Sequence, residues 1–331
     1  VSGPVRRDLD GRTVVWGPGA LAAADDLIGE GFTLLTTQRA VADEPGIAAR
    51  ARHVVYVPRG LVEDVAGGLR ESVDGRRLVA LGGGRVIDVA KALAAADAPR
   101  TVLAVPTTLS GAEMTRLHRH ARGIPVNAPR VRPGVVINDP ELSASAPEGA
   151  LAASCANALG HALTALAADT ATPGIAATGA AAIRLIAGAW AREAPDRPAL
   201  ALGALLAGAA VARTGLGLHH VMAQTAAREM GLGHAEANAA VLTASAEWLS
   251  ARRPAAFVLL SDASGVDVHV VARVLRGRAG AGGLTPLADD AVLRRSLVEA
   301  VTARPEIART GRAPRPAEVE ALYLLAAEPL R

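Results

Sequence analysis

The chain has 331 residues and a mass of 33.5 kDa, enough for two domains of ordinary size with separate cores. Half of it is apolar but only 2% is aromatic, so small aliphatic side chains must build those cores, which favours close helix packing. The formal charge of +3 comes from arginines dispersed along the chain without a basic block or interleaved aromatics, a pattern that gives no support to a nucleic-acid partner.

Cys155 is the single cysteine and Lys91 the single lysine. A lone cysteine allows no internal disulfide and suits a reducing compartment, so a cytoplasmic location is expected. The N-terminal segment has no apolar signal core, and Gly, Pro, Arg or Asp breaks every Ala-rich run before a span of about 18 apolar residues accumulates. No membrane partner is expected.

Up to residue 139, short β-branched runs alternate with amphipathic stretches, the pattern of parallel strands joined by crossover helices. Strands are expected at Thr13–Trp16, Thr33–Thr36, His53–Val57, Leu78–Leu81, Val102–Val105 and Val135–Ile137. Helices are expected at Ala20–Glu30, Leu61–Ser72 and Ile87–Ala96. From residue 140 to 331 Ala-rich helical segments follow one another between Pro and Gly breaks, so this part reads as an all-helical domain. A surface connection, rich in Arg and Pro, covers Arg304–Arg315 before a last helix at Pro316–Ala327.

The run Leu78-Val-Ala-Leu-Gly82-Gly83-Gly84-Arg85-Val-Ile-Asp88-Val-Ala-Lys91 sets three glycines where a buried strand hands over to a helix. Glycine lets the backbone approach a ligand closely, and the free N–H groups of a helix N-terminus attract an anion. A tight strand-to-helix turn also needs glycine for steric reasons alone. The next strand ends in Pro106-Thr107-Thr108-Leu109-Ser110-Gly111-Ala112-Glu113-Met114-Thr115, whose hydroxyls and N–H groups can face the same ligand or simply cap a turn. Two such turns at the ends of successive strands favour a dinucleotide or sugar-phosphate site.

In the helical part, Asn157 and His161 lie four apart, as do His220 and Gln224, so each pair shares a helix face. His234 follows just past a Gly231-Leu-Gly233 break. Three histidines and an amide resemble a metal site, yet Asn157 is neutral and a poor ligand. A single His on an Ala-rich helix is also an ordinary interior residue.

Taken in order, these segments are similar to the iron-containing (group III) alcohol dehydrogenases, and within them to the maleylacetate reductase branch. The resemblance rests on Gly82–Gly84 through Asp88 to Lys91, Pro106-Thr107-Thr108 with Ser110 to Thr115, and Asn138-Asp139-Pro140-Glu141-Leu142. It continues through Asn157-Ala-Leu-Gly-His161, Gly217-Leu-His219-His220 and His234-Ala-Glu236. It implies an N-terminal α/β dinucleotide-binding domain with a parallel sheet and an all-helical C-terminal domain, the dehydroquinate synthase-like architecture. It also implies an NADPH or NADH cofactor and a homodimer.

By the same resemblance, metal-dependent relatives hold their ion with an Asp and three His, which fall here at Asn157, His161, His220 and His234. The maleylacetate reductase branch carries Asn at the first place, so a catalytic metal is expected to be absent. Any ion would fall to His161, His220 and His234. The chain departs from the family at Arg85, where a serine is usual, at Gln224, where a second active-site histidine is usual, and at Ala226-Ala227-Arg228. Arg85 either adds a cation to the phosphate turn or obstructs it. A glutamine cannot relay a proton as imidazole does.

The implied function is an NAD(P)H-dependent reductase that transfers hydride to a carbonyl or activated C=C of a small polar, carboxylate-bearing substrate. Maleylacetate is the type substrate. Asn157, His161, His220, Gln224 and His234 would form the catalytic group. Gly82, Gly83, Gly84, Arg85, Asp88, Lys91, Thr107, Thr108, Ser110 and Thr37 would hold the cofactor. Arg116, Arg119 and Arg228 are candidates for a substrate carboxylate, or solvated surface residues in an Arg-rich chain. After Thr36, Thr37-Gln38-Arg39 offers no carboxylate against a 2′-phosphate, so NADPH should be tolerated. The alternative is a family member diverted to non-redox chemistry, such as a cyclase or lyase.

Overall fold

The computed structural model describes residues 3–143, 146–282 and 284–329. It forms two compact units, residues 1–145 and 146–331.

In the first unit the strands are β1 (Val5–Asp8), β2 (Thr13–Trp16), β3 (Thr33–Thr36), β4 (His53–Tyr56), β5 (Arg77–Gly82), β6 (Thr101–Pro106) and β7 (Val135–Asn138). They make one sheet in the order β1-β2-β7-β6-β5-β3-β4. All pairings are parallel except the β1–β2 hairpin. That hairpin, absent from the sequence reading, turns through Asp10-Gly11, both at positive φ (52° and 73°), the geometry that matches the twist of two paired strands.

The helices of this unit are α1 (Ala20–Ala23), α2 (Asp25–Ile28), α3 (Gln38–Asp43), α4 (Pro45–Arg50), α5 (Val62–Leu69) and α6 (Gly84–Ala96). The stretch expected as one helix over Ala20–Glu30 is therefore two short ones, interrupted at Ala24. Strand period 2 divides the core cleanly. Leu78, Ala80, Val102 and Ala104 pack with α5 and α6 on one face. Val79, Leu81, Leu103 and Val105 pack against Ala20, Ala24, Ile28, Ala40 and Ile47 on the other. A sheet buried on both faces explains why β5 and β6 read as continuous apolar runs.

The contact boundary falls after residue 145 and not at 139. The Asp139 carboxylate accepts hydrogen bonds from the backbone N–H groups of Leu21 and Glu141, and Leu142 packs into the core layer of Val79 and Leu103, which ties the Pro140–Ser143 turn to the sheet unit.

The second unit is helical among the described residues: α7 (Glu148–Ala167), α8 (Pro173–Trp190), α9 (Arg197–Thr214), α10 (Leu218–Met230), α11 (His234–Arg252), α12 (Pro254–Ser264), α13 (Val268–Arg278), α14 (Ala291–Thr302) and α15 (Pro316–Ala327). Helix α7 has the length and hydropathy of a membrane span, contrary to the sequence reading, yet 89% of its apolar window is buried, as befits a core helix. Small residues set the packing distance. A Cβ at Gly179 on α8 would stand 3.3 Å from the Ala162 carbonyl on α7, and one at Gly203 on α9 would stand 2.9 Å from Ile186. The small-residue core thus allows the close helix packing that composition favoured.

Candidate active site

In the first unit, the order of strands reverses at β3 and β5: β4 lies outward of β3, while β6 and β7 lie outward of β5. An open parallel sheet binds ligands at the C-terminal ends of strands beside such a switch. Three loops meet that description here. They follow β3 (Thr37), β5 (Gly82–Gly84) and β6 (Thr107–Ser110).

The glycines have a steric role of their own. A Cβ on Gly82 would stand 2.7 Å from Val86, one on Gly83 would stand 3.1 Å from Thr108, and one on Gly84 would stand 2.9 Å from Ser110. The glycine turn and the threonine loop are therefore in contact, locked further by the Thr107 N–H donating to the Gly82 carbonyl at 3.0 Å. Arg85 does not fill the turn. Its side chain is exposed and makes no hydrogen bond or ion pair among the described residues, and desolvation followed by the Arg59 guanidinium holds its pKa below the ordinary value. It adds a cation at the N-terminus of α6.

Lys91 lies elsewhere than the sequence reading set it. The Lys91 ammonium is fully buried and donates to the carbonyls of Ala112 (2.8 Å) and Thr115 (3.2 Å), while Asp88 stands 2.7 Å away as its counter-ion. An ammonium committed in this way buttresses the threonine loop from behind and is not a cofactor ligand. Arg12 supports the same loop through the Met114 carbonyl at 2.9 Å. Between the two cations sits Glu113, which sequence reasoning missed; burial pushes its carboxyl up to about 7 against their pull.

Thr37 caps α3 by accepting the Ala40 N–H. With Arg39, Ala40, Asp43, Thr107 and Thr108 it lines a pocket at the ends of β3 and β6. Here the sequence reading needs correction, because Asp43 brings a carboxylate into the pocket, 3.7 Å from the Arg39 guanidinium. The residue lies six positions after Thr37, and only the helical turn of α3 folds it back.

The histidines of the second unit do come together. His220 on α10 contacts Asn157 on α7, with Nε2 and Oδ1 3.1 Å apart. An amide oxygen can only accept, so His220 carries its hydrogen on Nε2. The His161 ring stacks on that of His220, with centroids 4.3 Å apart and planes 5° from parallel. The Asn238 amide nitrogen donates to the His234 carbonyl at 2.8 Å and approaches His234 Nε2 at 3.3 Å.

His219 completes the cluster. Ser245 Oγ donates to the Val241 carbonyl at 2.8 Å, so it accepts from His219 Nδ1–H at 3.0 Å. The other side of that ring occupies the notch left by Gly160, where a Cβ would fall 2.1 Å from His219 Nε2. The His219 ring then meets His220 edge-on at 4.8 Å. The double histidine was visible in the sequence, but its serine and glycine partners, distant along the chain, were not.

Burial and the neighbouring imidazoles push His161 and His219 down to about 3, and His220 well below the usual histidine range. The rings are neutral at physiological pH. Of these four, His161 alone has neither nitrogen hydrogen-bonded among the described residues. Gln224 is half-buried one turn beyond His220 on α10, and Arg228 is exposed a further turn on. Arg116 and Arg119, in the first unit, are exposed on either side of buried His118.

The donor chemistry does not suit an iron ion. An amide stands where metal-dependent relatives carry a carboxylate, and the His161 and His220 rings lie face to face. The glycine turn is a better fit to its group, since the helix N-terminus, Thr108, Ser110 and the free Arg85 offer donors suited to a pyrophosphate.

The glycine turn of the α/β unit and the buried imidazole cluster of the helical unit are compatible with a nicotinamide-dependent oxidoreductase. Residues 151–301 match the model of the C-terminal domain of Fe-containing alcohol dehydrogenases. Maleylacetate reductase from Burkholderia cepacia is 32% identical over 281 residues, 77% of this chain and 78% of that one. Maleylacetate reductase from Sphingobium indicum is 31% identical, over 69% and 70% of the two chains. The crystal structure of maleylacetate reductase from Agrobacterium tumefaciens superposes with a TM-score of 0.80 at 25% identity, covering 99% of this chain and 98% of that one. The chain belongs to the iron-containing alcohol dehydrogenase family, whose members are NAD(P)-dependent oxidoreductases.

Proposed function

We propose that the chain is a maleylacetate reductase-type enzyme, reducing a carbonyl or an activated C=C of a small dicarboxylate, maleylacetate being the model substrate. The observation that carries this reading is the buried, neutral imidazole cluster organised by Asn157, in a chain similar to the Burkholderia cepacia maleylacetate reductase over 77% of its length.

A reduced nicotinamide, when bound, supplies the hydride. The chain's own groups do the rest. Gly82, Gly83 and Gly84, with the N–H groups at the start of α6, Thr107, Thr108, Ser110 and Arg85, hold the pyrophosphate, and Thr37 borders the ribose. His161, whose nitrogens are uncommitted, donates a hydrogen bond to the substrate oxygen on which charge accumulates. His220, stacked on that ring at 4.3 Å, holds it in place, and His234 lies near enough to add to the lowering of its pKa. A neutral imidazole is suited to this task because its N–H is a donor that carries no charge to be neutralised in the ground state. Gln224 lies on the His220 face and orients the substrate as a donor, without taking a proton. Arg116, Arg119 and Arg228 are the candidate partners of the substrate carboxylates.

The poor fit of the donor set to iron supports a reaction without a catalytic metal. A homodimer is the expected assembly by resemblance to the family, and the lone, fully buried Cys155 suits a cytoplasmic setting. The test is turnover: chelator-treated protein should oxidise NADH or NADPH only when maleylacetate is added. Turnover that appears only after iron is restored would contradict the metal-free part, and no oxidation under either condition would contradict the whole.

A further inference from the structure

The pocket beside Thr37 bears on which nucleotide the protein takes. Strand β3, which ends there, is the neighbour of β5, whose end carries the glycine turn. In sheets of this build, the end of that neighbouring strand is where an acid bonds the ribose hydroxyls or an arginine accommodates a 2′-phosphate. This chain sets one of each on α3, four residues apart, so Arg39 and Asp43 stand on one face of the helix and line the pocket together with Thr107 and Thr108.

The guanidinium therefore has a carboxylate beside it before any ligand arrives, in an exposed and weak ion pair, and a second carboxyl follows on the chain. Glu44 follows Asp43, and its carboxyl is raised by burial and then by Asp139, Asp43 and Glu141. A 2′-phosphate, with a charge of about −1.5 to −2, would meet the Asp43 carboxylate and an arginine already beside that acid. A 2′-hydroxyl would meet an acceptor.

We propose that Asp43 is a specificity-determining residue that makes this pocket favour NADH over NADPH, with Arg39 as its counter-ion. The inference rests on the nicotinamide-dependent reading above. Both residues are exposed on a short surface helix, so either can be replaced without disturbing the core.

Calorimetric titration of the intact chain with NADH and with NADPH tests it, on wild type, Asp43→Asn and Arg39→Ala. Wild type should bind NADH more tightly. Asp43→Asn should narrow the gap about tenfold, chiefly by tightening NADPH, the order expected when one charge is removed from beside a phosphate in a partly solvated pocket. Arg39→Ala should widen it. If both nucleotides bind but their ratio is the same in wild type and Asp43→Asn, or wild type favours NADPH, the inference is overturned and the reductase reading stands. If neither nucleotide binds wild type, both are overturned.

Discussion

The Asn157 amide oxygen accepts the Nε2 hydrogen of His220 at 3.1 Å, so a neutral side chain on α7 fixes the tautomer of an imidazole on α10. Replacing that amide by a carboxylate of the same shape should reverse the preference. In Asn157→Asp, zinc affinity measured by calorimetry should rise by at least about tenfold, the scale on which carboxylate partners tune imidazole sites. Unchanged affinity would mean that His161, His220 and His234 do not converge.

Gly160 and His219 interlock. Because Ser245 ties His219 Nδ1, the ring cannot retreat from a methyl group placed 2.1 Å from its Nε2. Gly160→Ala should cost about 2 kcal/mol, as overpacking of a rigid core does. It should also lower kcat by displacing His220. Urea unfolding gives the first quantity, and a midpoint equal to that of wild type would show the notch to be wider than described.

Lys91 closes the threonine loop from inside. Lys91→Met removes the donor to two backbone carbonyls and leaves Asp88 without its cation, so a loss of about 3 kcal/mol is expected. The same variant should bind nucleotide more weakly through a loosened loop. A loss under about 1 kcal/mol in urea unfolding would contradict the buttress role.

Acid should destabilise the fold before carboxylates titrate. His161 and His219 have folded values of about 3 and His118 about 4, each lowered chiefly by burial, against an unfolded value near 6.5. The unfolded chain binds more protons in that window, so their stabilising contribution is complete above pH 6.5 and is lost as pH falls through it. Between pH 6.5 and 5 each ring accounts for about 2 kcal/mol. Glu113, raised to about 7, acts in the opposite sense, gaining stability as pH falls from 7 toward 4.5, but it is one group against three. Urea midpoints at pH 7 and 5 check the net sign.

Periodicity made the sheet legible, because both faces of β5 and β6 are buried and read as apolar runs. The β1–β2 hairpin escaped although Asp10-Gly11 signalled it, since β1 itself is polar and mostly exposed and offers no alternation to detect. In the site, residues on one helix face, such as Asn157 with His161, were readable from spacing. Ser245, Gly160 and Asn238 were not, because their roles arise from packing between helices. Lys91 stood out as the single lysine in a glycine motif, yet its direction depends on the loop at Ala112–Thr115, which only the folded chain brings behind it. Asp43 was missed for the converse reason, lying one turn past the segment where an acid was sought.

The proposed chemistry is direct hydride delivery from a nicotinamide to a substrate held by the imidazole cluster. It is tested most directly by supplying NADH deuterated at the transferable position together with maleylacetate and examining the product by mass spectrometry. One deuterium on carbon in the product, abolished in His161→Ala, is the predicted result. Bound nucleotide with no deuterium transferred would contradict it.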